Sequence, residues 1–173
     1  AMQDAAQSLE KARSGQVSEW KGELTDALDR SVQEMMQLAK EQDALAQQAQ
    51  RNPNDPNLRS QQAALQQGVQ TAQQRLEEEG KKSALVSPRT QQMMDQAQQR
   101  VEQATKESAQ AQRGQQSQAM QEAANSLRQA AAQLTRDRER AASAQSASGL
   151  PELMEQLQQL AQQQGQLNGQ MQS

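Results

Sequence analysis

Residues 150–171 read LPELMEQLQQLAQQQGQLNGQM, and within them Leu150, Leu153, Leu157, Leu160, Gln164, Leu167 and Met171 follow in steps of three and four. That spacing winds into one narrow helical seam, the pattern of helices that lie against other helices. Residues 28–49 repeat the ladder as Leu28, Ser31, Met35, Leu38, Gln42, Leu45 and Ala49, with glutamine on the same rung. Together the two ladders set the fold class as all-α.

Composition agrees with the ladders. Of 173 residues, 34% are hydrophobic, 1% are aromatic and 40 are glutamine. Alanine and glutamine lose little side-chain entropy in a helix, whereas the β-branched and aromatic residues that suit strands are scarce. So polar a chain could remain unfolded for want of apolar burial. Against that stand a net charge of only -3 and leucines that keep helical spacing.

Further ladders run along the chain. Met2, Ala5, Ala6, Leu9 and Ala12 share a face, and Ser14-Gly15-Gln16 reads as a helix end because glycine readily closes a helix. Two prolines and three asparagines in residues 51–57 turn the chain back, after which Leu58, Gln62, Leu65, Val69, Ala72 and Leu76 form the next seam. Ser87-Pro88 then reads as an N-cap followed by proline at the first helical position. The next ladder is Thr90, Met94, Ala97, Val101, Ala104, Ser108 and Ala111, and another follows as Met120, Ala124, Leu127, Ala131 and Leu134. Nine residues separate Ala111 from Met120, which carries the stripe about two and a half turns round, to the opposite side. A break at Arg113-Gly114, with Ser117 as cap, accounts for this; a continuous helix meeting different partners is the alternative. The expected fold is an elongated antiparallel bundle with coiled-coil-like packing and about six helices: 2–13, 17–50, 58–79, 88–113, 117–142 and 151–171.

The chain also matches itself. Residues 1–9 agree with residues 119–127 at seven of nine positions, and residues 28–50 echo residues 150–172 through Leu28/Leu150, Leu38/Leu160, Gln42/Gln164 and Leu45/Leu167. Two blocks in the same order indicate a unit of about 120 residues, so that 1–50 resembles 119–172, as in helical arrays whose seams need neighbours.

Leu85-Val86-Ser87-Pro88-Arg89, the Met/Ala/Leu ladders after it, and the glutamine-rich run from Leu157 to Asn168 resemble the helical region of a large, functionally uncharacterised family of bacterial membrane-anchored proteins. Members of that family carry N-terminal transmembrane helices followed by a long coiled-coil-like region. The resemblance implies a tethered extracytoplasmic segment on the periplasmic side, with a cytoplasmic location as the alternative. It brings no catalytic residues.

Candidate sites follow from the ladders. Gln42, Gln62 and Gln164 interrupt apolar seams, either as a polar layer that sets helix register or as bundle-edge residues in water. Leu157, Leu160 and Leu167 are the apolar rungs offered to a partner helix. Trp20 stands one position off the Leu24/Leu28 ladder, as an anchor for a partner or packed on the first short helix. Met35-Met36 and Met93-Met94 read either as adaptable methionine-rich binding surfaces or as pairs with one member in the core and one on its flank, and Asp26/Arg30 is an i,i+4 pair outside the seam.

Cysteine and histidine are both absent, which removes disulfides, Cys/His metal sites and imidazole acid-base chemistry. No glycine-rich phosphate loop is visible, and carboxylates outside the seams sit in solvent, so neither an enzyme nor a cofactor is expected. Alternating charges at Arg136, Asp137, Arg138, Glu139 and Arg140 cancel locally without aromatic platforms, which argues against nucleic acid. No run approaches the roughly 18 apolar residues that span a bilayer, so no direct membrane insertion by this segment is expected. The function read from the sequence is a non-enzymatic structural or protein-interaction segment, acting through protein partners or self-association, with no small-molecule substrate. The rival is an amphipathic coat on a lipid or polymer surface.

Overall fold

The computed structural model describes residues 2–110 and 114–144. Among them are four α-helices: α1 (Met2–Arg51), α2 (Pro56–Lys82), α3 (Pro88–Gln110) and α4 (Gln115–Ser143). Helix α1 packs on α2 and α4, and α3 packs on the same two, while the diagonal pairs do not meet. Cross-helix bonds give the directions. Arg75 reaches Glu34 at 2.5 Å and Gln62 faces Gln42, so α2 runs down α1. Gln73 to Asp95 (2.7 Å), Arg100 to Glu122 (2.9 Å) and Arg138 to Asp29 (2.6 Å) reverse the direction at each remaining seam. The result is an up-down-up-down bundle.

The expected ladders line its core. All six rungs of α2 are buried, as are Thr90, Met94, Ala97, Val101, Ala104 and Ser108 of α3. Helix α4 buries more than a narrow seam, because Ala119, Ala123 and Ala130 join Met120, Leu127 and Leu134 where it lies between α1 and α3. Small side chains let the backbones approach, which is how so aromatic-poor a chain closes a core. Within α2, Gly68 serves the same end: a Cβ there would stand 3.0 Å from Leu38 Cδ2.

The expected count of six helices is corrected to four among the described residues, and 151–171 lies outside them. Segments 2–13 and 17–50 are one helix. Ser14 does not cap; its Oγ donates back to the Lys11 carbonyl at 3.0 Å, as a serine does inside a helix. A lone glycine costs a helix roughly 1 kcal/mol, and neither a capping side chain nor a proline accompanies Gly15 to turn that cost into a break. At 1.5 Å per residue α1 is about 75 Å long and its neighbours about 35–45 Å, so α1 overshoots the bundle. Side chains from Gln7 to Gln16 are all exposed, and from Gln7 onward the first buried rung is Leu24.

The break near Gly114 is present, and α3 and α4 are antiparallel neighbours. Gly114, not Ser117, occupies the N-cap position of α4; its φ of 94 lies in the region only glycine enters easily, and Ser117 Oγ merely donates to the Gly114 carbonyl at 3.5 Å. Gly114→Ala should therefore lower the denaturation midpoint by the equivalent of about 1 kcal/mol or more. Gly15→Ala, where a Cβ meets nothing within 4 Å, should instead raise the helical circular dichroism signal.

Helix α2 starts two residues before the expected position. Asp55 is its N-cap and Pro56 its first residue, the same Asx/Ser-Pro logic that identifies Ser87-Pro88 at α3. There Ser87 Oγ accepts from the Thr90 N–H at 3.3 Å, as expected. Asp55 accepts from the Asn57 N–H at 2.9 Å and from Gln48 Nε2 at 2.6 Å, and these bonds, the backbone one foremost, hold its carboxyl below the ordinary value. Because the folded-state value is depressed, the stabilisation is complete above the unfolded-state value and is lost as pH falls through the folded one. Asp55→Ala should lower the melting temperature at neutral pH, with the gap from the parent closing as the pH is brought down into the acid range.

Candidate interaction surfaces and the polar layers inside the bundle

Glutamine on an apolar rung must find a partner or strand a buried amide. Gln42 of α1 and Gln62 of α2 resolve this reciprocally: each is 0% exposed, Gln42 Nε2 donates to Gln62 Oε1 at 2.8 Å, and Gln62 Nε2 donates to Gln42 Oε1 at 2.9 Å. The two rungs meet toward the α1–α2 connection, Gln62 being the second of the six buried rungs of α2. Gln164, Leu157, Leu160 and Leu167 lie outside the described residues.

A second polar layer was not anticipated. Asp137 of α4 is 0% exposed, and its carboxylate accepts from the Ser87 N–H at 2.8 Å, Ser87 Oγ at 3.1 Å and Thr90 Oγ1 at 2.5 Å. Arg140, one turn on, adds its guanidinium. The knot ties the end of α4 to the α2–α3 connection, whose own Leu85 and Val86 are buried. A carboxylate so placed also complements the positive end of α3. The basic-acidic alternation of residues 136–140 is thus pulled apart, with Asp137 inside, Arg138 on Asp29 and Arg140 on Asp137. A sequence signal for it exists: Asp137 follows Leu134 by three and precedes the buried Ala141 by four.

At the opposite end Arg59 closes α3, donating from Nε to the Ser108 carbonyl at 3.2 Å and from Nη2 to that of Ala109 at 2.9 Å. A guanidinium there satisfies carbonyls that the helix leaves free. Gln116 is buried nearby in sequence to that end of the bundle, with an Oε1 that meets no donor. The other cross-helix ion pairs are solvent-exposed and contribute little singly.

Trp20 is partly buried against the core and lines a groove of about 330 Å³ with Leu24, Ala27, Glu79, Lys82 and Ser83. It therefore packs where α1 meets the end of α2; a separate first helix for it to pack on does not exist. Lys82 beside it is held above its usual value by the hydrogen bond and then the charge of Glu79, 2.9 Å away. Met35 and Met94 are core and Met93 packs against it, while Met36 is 41% exposed. Arg30 reaches the Asp26 backbone carbonyl at 3.3 Å.

A groove between α2 and α3 has Leu76 and Met94 in its lining, whereas those along α3 and α4 are polar. The one between α3 and α4, about 700 Å³, is lined by Gln99, Arg100, Gln103, Glu122 and Asn125 among others. Among the described residues no group of three or more acidic, histidine or cysteine side chains could hold a metal ion, and no helix is long and apolar enough to cross a membrane. Among the described side chains, the large apolar ones left in solvent are Met36 and, on the projecting part of α1, Leu9 at 71% exposure. Comparison with protein families, curated proteins and solved structures gives no match to this chain.

Proposed function

We propose that this chain is a structural or protein-interaction segment, using helices held in fixed register to meet other helices. The observation that carries the reading is the projection of α1: about 25 Å of helix beyond the bundle, with Leu9 exposed on a rung whose counterparts elsewhere are buried. An apolar rung on a single helix gains most from a partner helix. The narrow seam, interrupted by glutamine and without flanking aromatic or basic clusters, suits a protein partner better than a bilayer. The family resemblance of residues 85–89 and 157–168 supports a place in a larger membrane-anchored bacterial protein, on the periplasmic side, with this segment held away from the lipid.

Cosedimentation with vesicles tests the choice. Little pelleting with neutral or anionic vesicles is expected. Strong binding that survives high salt would replace the protein-partner reading with the amphipathic-coat one.

A further inference from the structure

The projecting part of α1 and the groove at its root share one face of the helix. Leu9 is 71% exposed, Ala12 and Gln16 are exposed as well, and Trp20 is only partly buried. Leu9 and Trp20 stand eleven residues apart, about three turns of helix, so both point the same way about 17 Å from each other, with Ala12 and Gln16 between them. Trp20 opens onto the groove of about 330 Å³ whose apolar wall is completed by Leu24 and Ala27, beside Lys82 and Ser83 where α2 ends. The same helix thus offers an apolar knob that fills nothing and, three turns on, an apolar groove that nothing fills.

We propose that this face pairs two copies of the chain as an antiparallel dimer, about a two-fold axis level with Ser14 and Gly15, the Leu9 side chain of each copy seated in the Trp20 groove of the other. The inference rests on the helix-interaction reading and names the partner as a second copy. Two observations select that partner. An axis at that level sets residue 9 opposite residue 20 twice over, so a single arrangement fills both grooves and covers both leucines, the self-complementarity of an isologous contact. The charges agree with it: Glu10 and Lys21 are likewise eleven residues apart, on one flank of the stripe, and make no ion pair among the described residues. The same axis places Glu10 of each copy beside Lys21 of the other, whereas a parallel pair would set Glu10 against Glu10 and leave the grooves empty. No helix of the same chain covers this stretch, whose side chains from Gln7 to Gln16 are exposed. About four turns of one helix pair make a contact at the small end of protein interfaces, so the dimer is weak and forms at high local concentration.

Sedimentation equilibrium over a range of concentrations tests the contact. Between about 10 μM and about 1 mM the average mass should climb from that of the 19.1 kDa chain toward twice that value. Trp20 is the single tryptophan and gives an independent readout. Its emission should move to shorter wavelength over the same range, as Leu9 of the other copy shuts water away from the indole. Leu9→Asp should hold the chain as a monomer and abolish the emission shift, yet leave the melt in dilute solution unchanged, because Leu9 stands in solvent there. The chain has no native cysteine, so Glu10→Cys combined with Lys21→Cys reports direction. Three turns apart on one helix, the two thiols cannot bridge within a chain, and mild oxidation at high concentration should crosslink copies of the double variant but not of Glu10→Cys alone. A parent that stays monomeric at the highest concentration, a dimer that survives Leu9→Asp, a double variant that forms no crosslink, or a Glu10→Cys chain that crosslinks by itself overturns the proposal. Failure here removes the self-contact but leaves the protein-partner reading, which falls only to vesicle binding.

Discussion

Asp137→Ala should destabilise the bundle by roughly 3 kcal/mol, since it strands several buried donors at once. The carboxylate accepts the Ser87 N–H, Ser87 Oγ and Thr90 Oγ1 inside the fold, with no exposure of its own. Each donor left without an acceptor costs about 1–3 kcal/mol. The total falls short of the sum because Ser87 Oγ and Thr90 Oγ1 lie 3.1 Å apart and can still bond each other. For a chain of this size that corresponds to a melting temperature lower by about 6–12 °C. Asp137→Asn should fall between, since an amide keeps one acceptor but turns donors toward donors. Arg140 is partly exposed, so Arg140→Met should cost much less. A melt of Asp137→Ala that overlays the parent would mean that the knot contributes nothing.

The second large effect is a change of sign rather than a size alone. Gln42→Leu leaves the Gln62 amide buried without its partner and should cost about 1–3 kcal/mol, as should Gln62→Leu. The double substitution removes both amides together and should be close to neutral or stabilising. What it gives up is the requirement that these two rungs sit side by side. A buried amide pair penalises every sliding of α2 along α1 that would separate its members, whereas leucine on leucine tolerates a shift of a turn. A double-mutant cycle in denaturant melts measures the coupling, and light scattering checks whether the double variant remains a single species. Additive losses from the two single substitutions would dismiss the pairing.

Much of this fold is legible in the ladders. The rungs of α2 from Leu58 to Leu76 and of α3 from Thr90 to Ser108 are the residues that the core buries, because a helix repeats every 3.6 residues and its apolar positions must face inward together. Ser87 as the cap of α3 is equally local, a matter of four consecutive residues. The errors arise where a local signal was outweighed. Gly15 looked like a stop, yet one glycine without a cap only weakens a helix. At α2 the Asp55-Pro56 pair carries the same cap signal as Ser87-Pro88, two residues ahead of the first apolar rung at Leu58.

Asp137 and Gln116 were missed for a different reason. The partners of Asp137 lie 47 and 50 residues away in sequence, and periodicity compares a helix only with itself. Asp137 does stand on the Leu134–Ala141 rung line of α4, but the alternating charges beside it make it read as one more surface charge. It becomes a buried anchor only when the α2–α3 connection is laid across it.

The sequence by itself determined that the chain is helical, which faces of α2, α3 and α4 are apolar, and that glutamine stands on a rung of three ladders, at Gln42, Gln62 and Gln164. It determined too that the start of α1 and the start of α4 carry the same stripe. Only the tertiary structure decided that Gln42 meets Gln62, that Asp137 receives Ser87 and Thr90, and that Leu127 of α4 is covered while its sequence counterpart Leu9 of α1 stands in solvent. The physical reason is that a stripe is a property of a single helix, set by side-chain spacing over a few turns, whereas its cover is a property of pairs. Which pairs form depends on the connections, on the heights at which antiparallel helices align, and on α1 being longer than anything packed beside it.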